Sequence, residues 1–227
     1  NSYAIFFNYY NCVYINKLLR NKIMSQRSSV LYNLINNPFV YRLIQKLMSG
    51  TSFRKKIVQK NIKNKKFKIL DIGCGPAEIL DYIPECEYYG YDIDKRSINF
   101  ARKKYLNNNH HFFCKKFNES ELFRLPKFDF IILFGILHHL DNKEAKIILN
   151  LCKKKMKKNS KLLTEDPILV ENQNIIARFL INKDRGLNVR KKKEYLSLLK
   201  PHFKYLNAKI TNQLFIPYTW FSVICKK

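Results

Sequence analysis

Several groups of residues in this chain have the types and spacing that chemistry needs. In Asp71-Ile72-Gly73-Cys74-Gly75 an apolar run ends in a carboxylate, and two glycines bracket one residue. Glycine takes positive φ and lets a ligand approach the backbone closely. The stretch therefore predicts a buried strand, a loop too tight for side chains, and then a helix N-terminus, an arrangement that cradles an adenosine-type cofactor. Asp92 ends the aromatic run Tyr88-Tyr89-Gly90-Tyr91, about 20 residues beyond the loop, where a carboxylate accepts hydrogen bonds from ribose hydroxyls. His138 and His139 follow the apolar run Phe128–Phe134. Either can take a proton from an acceptor hydroxyl, since histidine titrates near 6.5, or can simply orient the loop and cap the next helix. Glu165 and Asp166 close a further strand, where they either activate an acceptor or bond to neighbouring backbone. Within Asp184-Arg185-Gly186-Leu187-Asn188-Val189-Arg190, Arg185 and Arg190 can form a lid that clamps a carboxylate or phosphate. The alternative is an internal Asp184–Arg190 ion pair.

Two details decide which cofactor the glycine loop suits. A nicotinamide dinucleotide needs a small residue at the third glycine position, so that pyrophosphate can rest on the helix end; here that position is Glu78, and Pro76 occupies the turn. Asp71 would also repel a pyrophosphate. S-adenosylmethionine carries no phosphate and presents an ammonium and a sulfonium, which a carboxylate attracts.

The Asp71–Gly75 loop, the Gly90–Asp94 strand end and the Phe128–Leu140 strand and loop together resemble the class I S-adenosylmethionine-dependent methyltransferases. The Asp184–Arg190 segment is similar to one in small stand-alone bacterial members. The resemblance spans about residues 40–227. It implies that Asp71, Gly73, Cys74, Gly75, Asp92, Ile93, Phe117, Asn118, Phe134 and Gly135 surround S-adenosylmethionine. It places Glu165, Asp166, Arg185 and Arg190 as candidates to face the acceptor and His138 or His139 as the candidate base, although in many members similar histidines only orient the loop or cap the following helix. The chain departs from the family at two points. Ala77 replaces the third glycine of the loop, and Lys116 stands where an acid usually holds the adenine amino group. A lysine cannot accept that bond, which leaves adenine to Phe117, Asn118 or backbone carbonyls. The loop after Phe134 lacks the Asn/Asp-Pro-Pro-aromatic pattern of enzymes that methylate base nitrogens. This favours O- or C-methylation of a small or lipid-like molecule over an RNA acceptor. A third reading is a cofactor-binding protein without transfer activity.

The elements that must position these residues form an α/β fold: a Rossmann-like, doubly wound sheet, mostly parallel with an antiparallel C-terminal strand, and helices on both faces. Helices are expected from Pro38 to about Met48 and from Thr51 or Ser52 to about Lys60, making an N-terminal cap at about 38–60. Others are expected over Lys95–Tyr105 and Lys143–Lys155, with a strand at Lys161–Thr164, a mostly helical lid-like insertion at about 171–200, and an antiparallel pair over Phe203–Ile210 and Phe215–Cys225. Residues 1–23 read as an extension without a catalytic role, ahead of one methyltransferase domain at 24–227. The balance of 43 basic against 17 acidic residues, +26 overall, suits a polyanionic partner such as RNA or an anionic membrane surface. A/T-rich codons for Lys, Asn, Ile, Tyr and Phe would give the same composition with no partner. Six scattered cysteines have no metal-ligand spacing, so no metal is expected and reduced thiols in a cytoplasmic protein are.

Overall fold

The computed structural model describes residues 51–227, apart from 64, 65, 183, 185 and 214–217. The expected extension at 1–23, the helix at Pro38–Met48 and Arg185 lie outside the described residues. The described residues open with helix α1 (Thr51–Asn61) and alternate strands with helices or 3-10 turns: β1 (Lys68–Ile72), β2 (Glu87–Asp92), α2 (Lys95–Lys104), β3 (His110–Cys114), β4 (Phe128–Phe134), α3 (Asn142–Lys155) and β5 (Met156–Leu169). Then follow α4 (Ile175–Asn182), β6 (Arg190–Lys191), α5 (Lys192–Leu199), β7 (Tyr205–Gln213) and β8 (Tyr218–Lys226).

The strand order is β3-β2-β1-β4-β5-β8-β7, with the short β6 attached to β5. The first five strands run parallel, and β8 lies antiparallel to both β5 and β7. β1 pairs with β2 on one side and β4 on the other, so the winding reverses there. In open α/β sheets the ligand crevice opens at such a switch point, beyond the carboxyl ends of the strands.

Burial explains why these segments are strands. β4 is buried along nearly its whole length, as befits a parallel strand covered on both faces, and its side chains alternate between two cores. Ile131 and Leu133 join Leu70, Leu149 of α3 and Leu198 of α5. Ile132 and Phe134 join Ile69, Val58 of α1, Ile62 just beyond its end, and Ile98 of α2. Local capping fixes the helix starts. The Asp94 side chain accepts the amides of Arg96 and Ser97 at the head of α2, and Asp141 and Glu144 form a reciprocal capping box at the head of α3.

Three expectations need correction. No α-helix follows the glycine loop; Ala77 is left-handed at φ 56, and only a 3-10 turn, Glu78–Tyr82, forms. The fifth strand begins five residues before the expected Lys161, at Met156, because the exposed polar residues Lys158 and Asn159 look like a loop in sequence yet lie within the strand. The insertion carries a strand, β6, beside its two helices. Cys86, Cys152 and Cys225 are buried free thiols, whereas Cys114 is exposed. No described helix is long and apolar enough to cross a membrane.

Candidate active site

The glycine loop leaves β1 and folds back on β2. The amides of Gly73 and Cys74 both donate to the Tyr91 carbonyl, at 2.7 and 3.1 Å. Gly73 has φ 76, which side chains rarely adopt, and a Cβ there would lie 2.0 Å from Ile136 Cδ1, so a substitution would be strained and would displace the Ile136 side chain in the loop that follows β4. Gly75 is different: nothing lies within 4 Å of a Cβ built on it, which leaves an open cradle at the loop's mouth. Its amide donates to Asp92 Oδ2 at 2.8 Å, and the Asp94 amide donates to Oδ1 at 2.8 Å. Asp92 is thus locked in position by two backbone amides while each oxygen keeps a lone pair for a ribose hydroxyl. Ile93 beside it is 76% exposed, an apolar face of the kind an adenine ring covers. These residues fit the nucleoside end of S-adenosylmethionine.

Asp71 sits deeper than its place in the motif suggests. Tyr88 Oη donates to its Oδ2 at 2.6 Å inside the sheet, and Gly90, paired with Asp71 across β1 and β2, leaves the room that Tyr88 and the Cys74 side chain occupy. Burial pushes the Asp71 carboxyl up to about 7, against the Tyr88 hydrogen bond and the Arg54 charge, which pull it down. Its negative charge is therefore only partly developed at neutral pH.

Phe117 is buried in the core with its ring edge-on to Tyr91 at 5.2 Å. Asn118 caps the 3-10 turn Glu119–Phe123 by accepting the Ser120 amide. Both side chains therefore already have structural roles. Lys116 points to Glu144 at 2.9 Å on the surface.

Beyond the carboxyl end of β4, His138 is the centre of a buried charge network. Asp166 Oδ1 accepts both the His138 amide, at 3.1 Å, and ring Nδ1, at 2.8 Å. Nε2 lies 3.4 Å from Asp184 Oδ1. Burial pulls the imidazole down, but the two carboxylates outweigh it and raise it to about 9. Asp184 is pushed up by burial, yet His138, the Gly186 amide and Tyr218 Oη hold it well below the usual carboxylate range. His138 is an imidazolium at neutral pH with both nitrogens engaged, a poor arrangement for taking a proton. His139 is exposed, its ring 4.1 Å from that of His138. His138, His139 and Asp184 each bring one donor atom within 4.8 Å of the others, but a cation there would face the imidazolium's own charge.

The segment from Asp184 to Arg190 straps the loop that follows β4. Arg190 donates from Nη1 to the carbonyls of Leu137 and Asn188, at 2.7 and 3.0 Å, and from Nη2 to the Leu140 carbonyl at 2.7 Å. Nη2 and Nε also reach Asn142 Oδ1, at 3.0 and 3.1 Å. All five N–H groups of a guanidinium are thereby used, none remains for an acceptor's anion, and Asp184 pairs with His138 instead of Arg190. Gly186 lies so close that a Cβ would sit 1.9 Å from His138 Cδ2.

Glu165, fully buried, accepts from Arg54 Nε at 2.8 Å. Arg54 was not legible as a site residue, although its spacing from Val58 and Ile62 puts it on the buried stripe of α1. Tyr88 and Trp220 were also missed. Strand parity could have found Tyr88, since it shares a sheet face with Asp71, whereas nothing local marks Trp220.

Residues 70–162 match a family described as "Methyltransferase domain", and this part of the chain is similar to class I S-adenosylmethionine-dependent methyltransferase domains. S-adenosylmethionine is the methyl donor that this match implies. No curated protein matches the sequence. Among solved structures, mitomycin 7-O-methyltransferase is similar at 17% identity and a TM-score of 0.60, over 90% of this chain and 62% of that one. Human N-acetylserotonin methyltransferase is similar at 17% and 0.59, over 100% and 67%. A S-adenosylmethionine-dependent methyltransferase from Aquifex aeolicus is similar at 19% and 0.57, over 82% and 97%. This chain thus spans about two thirds or less of the first two proteins' length, and the likeness at these identities concerns the fold.

Proposed function

We propose that this protein transfers a methyl group from S-adenosylmethionine to an oxygen or carbon atom of a small-molecule or lipid-like acceptor in the cytoplasm. The reading is carried by three features at the switch point, the open space at Gly75, the amide-locked Asp92 and exposed Ile93, which together support a nucleoside seat. Asp92 holds the ribose and Ile93 covers adenine. Gly73 and Gly135, with φ 76 and 70, keep the backbone close to the methionine end. Bound here, the donor supplies an already electrophilic sulfonium methyl. The protein's task is to place the acceptor in line with it, and such positioning is worth about 7–11 kcal/mol of barrier. The His138 imidazolium, held by Asp166 and Asp184, fixes the loop shape. Proton removal from an acceptor hydroxyl then falls to the exposed His139.

The absence of an Asn/Asp-Pro-Pro-aromatic loop after β4 supports O- or C-transfer, as do the small-molecule substrates in the names of the similar structures. An RNA acceptor is the second reading, favoured by the charge of +26. Incubation with methyl-labelled donor and panels of small hydroxylated molecules, lipids and RNA tests both. Label entering a small molecule and lost in Asp92→Ala is the expected result. Label entering RNA, with steep salt dependence, transfers the case to the second reading, and tight binding of a nicotinamide dinucleotide without adenosylhomocysteine binding refutes both.

A further inference from the structure

Arg54 is half-used. Its Nε is tied to Glu165, and its guanidinium carbon lies 5.4 Å from the ring centre of Phe134 and 5.6 Å from that of Trp220. A carboxylate and two aromatic faces fix the group, yet among the described residues Nη1 and Nη2 have no hydrogen-bond acceptor. The side chain is 23% exposed, so its outer edge can be reached. Glu165 mirrors this, because its Oε2 is buried without a partner although the side chain is fully enclosed. An ion pair whose only role was to dock α1 on the sheet would close as a fork against both carboxylate oxygens. Here one edge of the guanidinium is left for something else.

Its place says what. A Cβ on Gly135 would lie 3.3 Å from Arg54 Nη2, so the fork stands at the carboxyl end of β4, on the sheet face that also carries Asp71 and Phe134. With the ribose at the end of β2, the donor's methionine end runs across the Gly73–Gly75 loop toward β4. That end is a zwitterion and needs a cation and an anion. Asp71, once ionised, is the anion, and Arg54 is a cation among the described residues whose charge acts on it.

We propose that Arg54 of α1 binds the α-carboxylate of the methyl donor through Nη1 and Nη2, positioned for it by Glu165, Phe134 and Trp220. This rests on the reading of the crevice as a seat for S-adenosylmethionine. Calorimetric titration of the intact protein with S-adenosylmethionine and with its decarboxylated analogue tests it, because the two differ only in the proposed group. The wild-type protein is expected to favour the carboxylated form by about tenfold to a hundredfold, the range of a charged hydrogen bond. Arg54→Gln should bind the two within about threefold of each other. The double variant Arg54→Gln/Glu165→Gln, which removes the buried unpaired charge that could unfold the single one, should behave alike. Retained discrimination in the folded variants overturns the proposal, as does unchanged donor affinity with a raised acceptor KM, which would give the fork to the acceptor. If the wild-type protein binds neither compound, the cofactor reading itself fails.

Discussion

The His138 network makes stability depend on pH in a window of its own. The imidazole rises from 6.5 unfolded to about 9 folded, and at 1.36 kcal/mol per tenfold change in proton affinity this contributes about 3 kcal/mol. The sign follows from linkage: between these values the folded state holds the proton more tightly, so the contribution is complete below 6.5 and is lost as pH rises through about 9. The opposing carboxylates are buried with the ring, so salt screens the effect little. Urea unfolding at pH 6, 7.5 and 9, in the wild type and in His138→Asn, isolates it. The stability difference between the two proteins should shrink by about 2–3 kcal/mol across the range, with buried thiols cancelling in the subtraction. Parallel pH profiles for the two proteins would show that His138 is neutral in the fold and that Asp166 and Asp184 do not hold a cation between them.

Arg190→Met should destabilise the protein by about 3–5 kcal/mol, read as a fall in the urea midpoint at unchanged slope, because it strands three backbone carbonyls and Asn142 Oδ1. A loss below about 1 kcal/mol, typical of a surface residue, would contradict the buried strap. Affinity for the cationic donor should rise with pH as Asp71 ionises around 7, and Asp71→Asn should flatten that dependence in calorimetry. Gly186→Ala, whose Cβ would collide with His138, should lower the melting temperature and loosen the 137–142 loop in hydrogen exchange.

What the sequence disclosed depended on how local the cause was. The Asp71–Gly75 loop and the buried β4 were readable because an apolar run, two glycines and an acid lie within a few residues of one another. The missing helix after the loop depends on Ala77 adopting a left-handed conformation, which composition does not announce. His138, Asp166 and Asp184 meet only because the ends of β4 and β5 and the segment after α4 converge, and no spacing along the chain encodes that. Arg190 shows the same limit in reverse. It was legible as a charged group near the site, but whether it faced an anion or carbonyls depended on the path of the loop beneath it. Arg54 lay hidden in a lysine-rich helix whose amphipathic stripe is weak.

The closure of residues 137–142 by Arg190 and by the Asn188 amide on the His138 carbonyl means that, under the proposed function, the wall this loop gives to the crevice is fastened by hydrogen bonds before any guest enters. Selectivity on that side is a matter of shape set at folding, and an acceptor meets no entropic toll for ordering it. Broadening the range of accepted molecules by engineering should therefore begin away from this wall, where a substitution would not also unfasten the scaffold.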